Sequence, residues 1–430
     1  MTLFFYTIFL KLYPVGIRIA SLWNSKAMLW LNGRKKFPVM ELPNGEKETI
    51  WMHCASLGEF EQGVPLIDEI RKQYPDSIIV ITFFSPSGYK IVKNINVADH
   101  VFYLPIDSAT NATRFIELIN PTLVFWIKYE YWYYYLHELK KKKIPVFLIS
   151  GSFRGAQPFF RWYGSFWKKM LKCFTHYFVQ NENSKILLKN IDIKNVTVSG
   201  DTRFDRVITI AENSEDVPLI KEFCENSKVI VAGSACEDDE ATFVHYVNAN
   251  THIKFIIAPH EVDKENVNSL RKKFSGSILY SEWKNFNQQP IGNKLEEHQT
   301  KNTKLPTANC LIIDSIGILS RLYEYADITY VGGGFGYDGL HNILEAAVYG
   351  KPVIFGPQLD KNFEARELIE CGGGIAIANA LELEQAFTHL LDNEDELKKR
   401  GFAAKKYVYE KAGATTKIME YIQENRLLIS

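Results

Sequence analysis

The chain has 430 residues, which is more than a single hydrophobic core accommodates, so at least two domains are expected. A hydrophobic content of 46% with 23% charged residues excludes an intrinsically disordered chain. Basic and acidic residues balance at 50 each, so no overall charge draws the chain to nucleic acid, and no such partner is expected.

The chain begins with an apolar, aromatic-rich segment, Met1–Trp23, which Lys11, Pro14 and Arg18 interrupt. A spanning helix needs about 20 apolar residues without central charge, and a signal peptide needs a basic start and a cleavage site. Neither description fits. We expect a membrane-associating segment over residues 1–37, with basic side chains at lipid phosphates. The alternative is an amphipathic helix packed on the protein's own first lobe.

Short apolar runs then alternate with helix-length segments. The first series comprises TIWMHC, SIIVITFF, PTLVFWIKYE, IPVFLISGS, HYFVQNE and NVTVSGD, and the second comprises KVIVAGSA, KFIIAPHE, NCLIIDS, DITYVGGG, KPVIFGP and GGIAIAN. Near-continuous apolar runs are typical of strands in parallel sheets that helices cover on both faces. We predict an α/β protein with Rossmann-like lobes at 38–210 and 225–410, facing a cleft, and a C-terminal helix at 411–430.

The segment ASLGEFEQG follows the first run and places Glu59 at the start of a helix, after a turn at Gly58. A carboxylate there can take a proton from an attacking hydroxyl if its surroundings raise its pKa. The alternative is that Glu59 only complements the helix dipole, which contributes about 0.3 to 1 kcal/mol.

A second carboxylate, Glu130, follows the run LVFWI and stands beside Tyr129, Tyr131 and Trp132. An acid in an aromatic setting is costly unless it is paired or used. We therefore expect either a role in the site or a buried ion pair, for example with Lys128.

Arg203 lies in the segment SGDTRFDRV at the end of the first lobe. Its guanidinium can bind a carboxylate or a phosphate through two hydrogen bonds. The alternative is a salt bridge with Asp201 or Asp205.

The run ITYV leads into the glycine-rich loop GGGFGYDG, which precedes a helix predicted to open at His341 or Asn342. Such a loop presents backbone N–H groups to a phosphate. Glu345, one turn into the helix, can accept hydrogen bonds from a sugar. The spacing is neither that of a dinucleotide fingerprint nor that of a P-loop. The loop and the helix together predict a nucleotide-sugar site, and the alternative for Glu345 alone is an acid that only complements the first helical turn.

A basic and aromatic stretch, SFRGAQPFFRWYGSFWKKMLK, lies in the first lobe. It is typical of a surface that binds an amphiphile carrying phosphates, although an amphipathic helix with its aromatics in the core is the alternative. The interleaved residues are Arg154, Arg161, Lys168 and Lys169 with Phe159, Phe160, Trp162 and Trp167.

Eight motifs in order give the chain its resemblance to a known family: ASLGEFEQG, Tyr-Glu-Tyr-Trp after a strand, SGDTRFD, VAGSACEDDE, IIAPHE, DSIGILSRLYEYADITYVGGGFG, HNILEAA and GKPVIFGPQLDKNFEA. The chain resembles the bacterial 3-deoxy-D-manno-octulosonic acid (Kdo) transferases over nearly its whole length. The resemblance implies the GT-B fold and transfer of Kdo from CMP-Kdo, without a metal or other cofactor. It also implies the lipid A precursor (lipid IVA) as acceptor and the cytoplasmic face of the inner membrane as location.

The family's functional positions fall on residues of this chain. The resemblance implies Glu59 as general base and Glu130 and Arg203 as stabilisers of the transition state. Arg203 stands where the family usually has lysine, His260 where it commonly has arginine and Ile318 where it commonly has an acid. The implied CMP contacts are Pro259, His260, Ile316, Gly317, Ile318, Asn342, Ile343, Leu344 and Glu345.

Two other functions would leave a similar sequence. A different GT-B enzyme acting on a UDP-sugar would also have paired lobes and a glycine loop, but the order of the motifs argues against it. A non-catalytic, membrane-associated carbohydrate-binding protein would keep the cleft without needing both Glu59 and Glu130.

Overall fold

The computed structural model describes residues 2–40, 47–128, 130–288, 308–336, 339–359 and 362–428. The chain divides into two compact units. The first lobe comprises Met1–Arg206 together with Ala412–Ser430, and the second lobe comprises Val207–Lys411. Each lobe is built on a parallel sheet, which confirms the predicted α/β class.

The sheet of the first lobe contains seven strands of the described chain: β1 (Thr49–Cys54), β2 (Ile78–Phe83), β3 (His100–Tyr103), β4 (Leu123–Ile127), β5 (Val146–Gly151), β6 (His176–Val179) and β7 (Val196–Val198). Their order is β3-β2-β1-β4-β5-β6-β7, and neighbouring strands are parallel. The chain runs outward from β1 to β3 and then crosses to the other side of β1. The order of the strands therefore reverses between β1 and β4.

Both faces of this sheet are buried. Along β1, Ile50 and Met52 belong to one hydrophobic cluster and Trp51 belongs to the other. Because successive side chains of a strand point to opposite faces, a sheet with two covered faces needs apolar residues at every position. This requirement explains the unbroken apolar runs in the sequence.

The second lobe repeats the arrangement with seven further described strands: β8 (Val229–Ala235), β9 (Lys254–Pro259), β10 (Ser277–Leu279), β11 (Cys310–Ile312), β12 (Ile328–Val331), β13 (Val353–Phe355) and β14 (Gly374–Ala376). Their order is β10-β11-β9-β8-β12-β13-β14, again with parallel neighbours. Here the order reverses between β8 and β12.

The described helices precede, connect or follow these strands: α1 (Thr2–Ala20), α2 (Ser25–Gly33), α3 (Leu57–Gln73), α4 (Pro86–Val92), α5 (Ala109–Ile119), α6 (Tyr133–Lys141), α7 (Ser165–Leu171), α8 (Glu182–Lys189), α9 (Thr202–Glu212), α10 (Ile220–Cys224), α11 (Glu237–Ala249), α12 (Lys264–Lys273), α13 (Tyr280–Gln288), α14 (Leu319–Leu322), α15 (Leu344–Ala347), α16 (Phe363–Glu370), α17 (Ala380–Asp392), α18 (Glu394–Lys411) and α19 (Ala414–Glu424). Short 3-10 turns lie at Pro158–Phe160 and Tyr323–Tyr325.

Every strand predicted from the apolar runs is present, but β3 and β10 were missed. Both are the outermost strands at one edge of their sheets. β3 has four residues, and three of them are only partly buried. β10 has only three residues. An edge strand buries less of its surface, so its sequence carries a weaker apolar signal.

The C-terminal helix α19 belongs to the first lobe although α18 belongs to the second. Ile418, Met419 and Ile422 of α19 join the hydrophobic cluster that α3 and one face of the first sheet form. The end of the chain thus completes the core in which the chain's first strand lies.

Helix α1 packs on the first lobe through one face. The Tyr6 hydroxyl donates a hydrogen bond to Asp107 at 2.6 Å, and the Thr7 and Tyr134 hydroxyls lie 2.8 Å apart. Burial raises the pKa of Asp107 to about 6, although hydrogen bonds from Tyr6 and from backbone N–H groups at the start of α6 favour its carboxylate form. The Tyr6 ring also contacts Phe166, with ring centroids 5.4 Å apart.

The opposite face of α1 is apolar and open to solvent. Phe4, Phe9 and Leu12 are 66%, 56% and 61% exposed. By length and composition alone, Leu3–Ala20 is the one helix of the described chain that could cross a membrane. The two alternatives for the N-terminal segment are therefore compatible, because packing uses one face and leaves an apolar face uncovered.

The basic and aromatic stretch, like α1, has some aromatic side chains packed on the first lobe and others exposed to solvent. Phe159 and Phe166 are buried in the first-lobe core, whereas Trp162 is 94% exposed beside the exposed Arg161. Since Phe166 contacts Tyr6, the stretch adjoins α1. The aromatic residues of the stretch are thus divided between the core and the surface, and binding of an amphiphile by its exposed part stays a prediction.

The first prediction concerns the attachment of α19. The Asp205 carboxylate accepts hydrogen bonds from the Gly413 N–H at 2.6 Å and from the Thr415 N–H and hydroxyl at 2.7 Å. We expect Asp205→Ala to lower the free energy of unfolding by about 1 to 3 kcal/mol, because these donors lose their acceptor. Urea denaturation followed by circular dichroism measures the effect. Asp76→Ala, at an exposed acid of the same lobe, is the control, and equal stability of the two variants would contradict the prediction.

Candidate active site

The two predicted catalytic acids follow neighbouring strands at the point where the strand order reverses. β1 and β4 pair in parallel, from Ile50 with Leu123 to His53 with Trp126. Glu59 lies on the helix after β1, and Glu130 lies on the loop after β4. Because carboxyl ends of parallel strands share one edge, both acids belong to the edge where ligands bind in α/β sheets.

Glu59 lies in the first turn of α3, as predicted. Its Oε2 accepts hydrogen bonds from the Ser56 N–H at 3.0 Å and from the Ser56 hydroxyl, which together fix the start of the helix. No hydrogen bond from a described residue falls on Oε1. Gly58 was expected to form a tight turn, but it lies inside α3 and its φ is not in the left-handed region. The capping serine, rather than the glycine, defines this turn.

Glu130 is held from several sides and is 21% exposed. The Trp132 indole N–H donates to Oε2 at 3.1 Å, and His53 Nε2 lies 3.1 Å from the same oxygen. The Trp126 indole N–H donates to the Glu130 carbonyl at 2.5 Å. Tyr129, which was also predicted to adjoin this acid, lies outside the described residues.

His53 is a functional candidate that the sequence interpretation missed. It is fully buried within β1, its ring contacts that of Trp126 in a tilted arrangement at a centroid distance of 4.4 Å, and its Nδ1 lies 2.9 Å from the Thr82 hydroxyl on β2. The available signal was a single histidine in the middle of the otherwise apolar run TIWMHC.

Arg203 forms the salt bridge with Asp201 that was the alternative to a ligand-binding role. Its Nε and Nη2 donate to Asp201 Oδ2 at 3.0 and 2.9 Å. Lys128 Nζ, just after β4, lies 3.7 Å from the same oxygen. The Arg203 side chain remains 23% exposed, so the guanidinium is anchored but still reaches the surface.

The Asp201 carboxylate also accepts two side-chain amides. Gln62 of α3 donates to Oδ1 at 2.8 Å, and Gln180, which follows β6, donates to Oδ2 at 2.5 Å. Burial alone would raise the pKa of Asp201, but Arg203 and Lys128 hold it well below its ordinary value. An ionised carboxylate therefore connects α3, β4, β6 and α9.

The glycine-rich loop of the second lobe requires glycine at several positions. A side chain at Gly332 would meet the Ser234 carbonyl at 2.3 Å, and one at Gly334 would meet the Gly356 backbone at 2.6 Å. Gly333 has a φ of 90°, which favours glycine. Tyr337 and Asp338 of this loop lie outside the described residues.

A buried carboxylate, Asp239 of α11, holds this loop. Its Oδ2 accepts from the Gly333 N–H at 2.8 Å and the Cys236 N–H at 2.9 Å, and its Oδ1 accepts from the Tyr330 hydroxyl at 2.7 Å. Burial and the adjacent Asp239 charge raise the pKa of Tyr330, so its hydroxyl stays protonated and donates. The acidic run EDDE was the available signal for this contact.

The helix after the loop begins later than predicted. It was expected to open at His341 or Asn342, but α15 spans Leu344–Ala347. The His341 N–H instead donates to the Gly332 carbonyl at 3.1 Å and closes the glycine loop.

The implied CMP contacts gather on adjacent strands of the second sheet. Pro259 ends β9, Ile316, Gly317 and Ile318 follow β11, and Asn342, Ile343, Leu344 and Glu345 follow the loop after β12. The His260 ring stacks on the His341 ring at 4.4 Å, and the Asn342 side chain donates to Glu345 Oε1 at 2.9 Å. Since β11, β9, β8 and β12 are consecutive in the sheet, these residues share one carboxyl edge.

Sequence comparison links the chain to one family. A family described as 3-deoxy-D-manno-octulosonic-acid transferase (kdotransferase) matches residues 31–206. Curated proteins named 3-deoxy-D-manno-octulosonic acid transferase extend the similarity into the second lobe. The one from Rickettsia felis is 28% identical and the alignment covers 83% of this chain and 74% of the relative. The one from Aquifex aeolicus is 27% identical, with 85% and 92% covered.

Solved structures share the fold at low sequence identity. A UDP-GlcNAc 2-epimerase from Neisseria meningitidis matches with a TM-score of 0.61 at 18% identity, covering 87% of this chain and all 100% of its own. MurG from Acinetobacter baumannii matches with a TM-score of 0.53 at 12% identity, covering 88% and 99%. These likenesses confirm the GT-B fold. The sequence matches confirm the predicted resemblance, and the chain is thus a glycosyltransferase related to the Kdo transferases.

Proposed function

We propose that the chain is an inverting glycosyltransferase that moves Kdo from CMP-Kdo to the lipid A precursor (lipid IVA) in lipopolysaccharide core biosynthesis. The observation that carries this proposal is the position of Glu59 and Glu130 after the adjacent strands β1 and β4, where α/β proteins bind ligands. The sequence relatives named Kdo transferases support the choice of sugar.

Glu59 acts as the general base in this proposal. It takes the proton from the primary hydroxyl of the acceptor, whose oxygen forms the new bond to the anomeric carbon of Kdo. The bond from that carbon to the CMP phosphate breaks, and CMP leaves with the electron pair. The Ser56 bonds to Oε2 leave Oε1 for the proton.

Glu130 and Arg203 stabilise the charges that develop during transfer. The anomeric carbon becomes cation-like as the phosphate departs, and a carboxylate such as that of Glu130 favours this state. The Arg203 guanidinium, fixed by Asp201, offers donors to an anionic group of the substrate.

The second lobe binds the CMP moiety. The departing phosphate monoester needs hydrogen-bond donors rather than a metal, and backbone N–H groups near the glycine loop and around Asn342 supply them. The buried acids that follow β8 already have partners, because Asp239 accepts from the Gly333 N–H and Glu240 accepts from Lys273 at 2.7 Å. This supports transfer without a divalent metal or other cofactor.

The acceptor is an amphiphile, so the enzyme works at the cytoplasmic face of the inner membrane. The exposed apolar face of α1 and the adjoining Trp162 with Arg161 support this location. Aromatic and basic side chains of this kind bind the boundary between headgroups and acyl chains.

One reaction separates this proposal from its two alternatives. The protein is incubated with CMP-Kdo and lipid IVA, and the lipid is examined by mass spectrometry for added Kdo. A lipid that gains Kdo supports the proposal. Turnover of a UDP-sugar with no Kdo transfer would indicate a different GT-B enzyme, and saccharide binding without turnover would indicate a carbohydrate-binding protein.

Glu59→Gln tests the base without disturbing the helix. A glutamine can replace a glutamate in the capping arrangement with Ser56, so α3 and the free energy of unfolding should be preserved. An amide cannot act as the base, and we expect kcat to fall by roughly 100-fold to 10,000-fold. CMP binding, measured by calorimetry, should stay at the wild-type level.

Glu61→Gln is the matched control for that substitution. Glu61 lies on the same turn of α3, is 41% exposed and pairs with Arg206 at 2.8 Å. Its loss should change kcat little, because an exposed ion pair contributes about 0.2 to 1 kcal/mol. Near-wild-type turnover by the Glu59 variant would remove this residue from the mechanism.

Metal independence gives a further prediction. Dialysis against EDTA should leave the rate of Kdo transfer unchanged, because the leaving phosphate meets N–H donors. The rate is measured before dialysis, after it and after addition of magnesium or manganese. Loss of activity that either ion restores would overturn this part of the proposal.

The exposed face of α1 can be altered without touching its packed face. We expect the combined variant Phe4→Ser, Phe9→Ser and Leu12→Ser to bind anionic vesicles more weakly, since burying one such side chain contributes about 1.5 to 3 kcal/mol. The KM for acceptor in vesicles should rise, whereas transfer to detergent-dispersed acceptor should stay near wild type. Phe402→Ser, at a residue of the second lobe that is 71% exposed, serves as control. Unchanged sedimentation with vesicles would refute the membrane role of this face.

A further inference from the structure

The mechanism above gives no role to His53, a buried polar residue of the first lobe. His53 is 0% exposed in the centre of the sheet, yet both of its ring nitrogens lie within hydrogen-bonding distance of side chains on neighbouring elements. Burying an imidazole in place of an apolar side chain costs free energy unless its polar atoms are paired. Its two partners are Thr82 on one side and the candidate catalytic acid Glu130 on the other.

The chemistry of the partners fixes the direction of this chain of hydrogen bonds. Trp51 Nε1 can only donate, so the Thr82 hydroxyl oxygen, 2.9 Å away, accepts from it. An ionised Glu130 can only accept, so His53 Nε2 carries the proton that it donates. In a neutral imidazole, Nδ1 is then the acceptor, and the Thr82 hydroxyl supplies its proton. Each group thus orients the next one.

The outcome is a carboxylate held through one of its oxygens. Oε2 of Glu130 accepts from His53 and from Trp132, both at 3.1 Å, while no hydrogen bond from a residue in the described ranges falls on Oε1. The Trp126 ring packs against the imidazole at a tilted angle, and its N–H donates to the Glu130 carbonyl. The side chain and the backbone of this acid are therefore both fixed before any substrate arrives.

We propose that His53 is a positioning residue for Glu130: it holds Oε2 and fixes the side-chain rotamer, so that Oε1 faces the reacting sugar. The inference rests on the proposed function, because it assigns His53 to the same transfer reaction. His53 acts through Glu130 and does not itself contact substrate.

The first test compares two substitutions of His53. His53→Leu removes both polar nitrogens, and kcat should fall by about 10-fold to 100-fold, since a misplacement of about 1 Å can cost roughly that much. His53→Gln keeps an N–H donor near the position of Nε2 and should restore part of kcat. The KM for CMP-Kdo should stay unchanged in both variants. Equal losses of kcat in the two variants would overturn the proposal.

His176 provides the matched control. It is a buried histidine of the same sheet, and its Nε2 lies 2.9 Å from the Thr197 hydroxyl, with no bond to either catalytic acid among the described residues. His176→Leu should lower stability without the fall in kcat. If it lowers kcat as much as His53→Leu does, the effect of His53 is one of general stability and the proposal fails.

If His53→Leu does not fold, Thr82→Val tests the same chain of hydrogen bonds. Valine fits a strand, but it removes the proton that orients Nδ1, so kcat should again fall while the KM for donor stays constant. Thr197→Val is the matched control and should retain kcat. A Thr82→Val enzyme with wild-type kcat would contradict the proposal that this chain of hydrogen bonds positions Glu130.

A double-mutant cycle decides whether His53 acts through Glu130. If it does, His53→Leu should cost no further activity in an enzyme that already carries Glu130→Ala, because groups that act as a unit are not additive. Losses that multiply would overturn this inference alone. A wild-type protein that transfers no Kdo would instead overturn the proposed function and this inference together, so the two failures are distinguishable.

Discussion

The buried carboxylate of Asp201 is the group on which the candidate residues of the first lobe depend. It is 5% exposed and ionised, and it binds Arg203, Lys128, Gln62 and Gln180. Removing one partner of a buried ion pair typically costs about 3 to 5 kcal/mol, so each cationic partner of Asp201 stabilises this group of contacts. Gln62 lies one turn beyond Glu59 on α3. Through this one group, the helix of the proposed base, the ends of β4 and β6 and the proposed cationic stabiliser are fixed in position.

The second lobe also contains a buried carboxylate with several hydrogen-bond donors, and this one holds the glycine loop. Its buried carboxylate, Asp239, accepts backbone N–H groups of Gly333 and Cys236 and the hydroxyl of Tyr330. These contacts keep the glycine loop close to the strands, which is why Gly332 and Gly334 have no room for a side chain. In the proposed function, a loop that is fixed in this way loses less entropy on binding an anion than a flexible loop would.

Helix α1 shows how a single segment can satisfy two requirements. Tyr6 reaches the buried Asp107, which also receives N–H groups from the start of α6, so the helix is tied to the first lobe by polar contacts. Phe4, Phe9 and Leu12 point away from these contacts and remain exposed. Packing and exposure coexist in this helix because they use opposite faces.

The sequence by itself determined the α/β class, the two lobes, their principal strands and the relation to the Kdo transferases, because unbroken apolar runs and ordered motifs are local properties. It also placed Glu59 on a first helical turn and the glycine loop after a strand. It missed the edge strands β3 and β10, misplaced the start of α15, gave no role to His53 or Asp239 and named Asp201 only as an alternative partner of Arg203. Only the tertiary structure decided these features. The partners of these three buried polar groups come largely from segments distant in sequence, and strand order brings those segments to one edge.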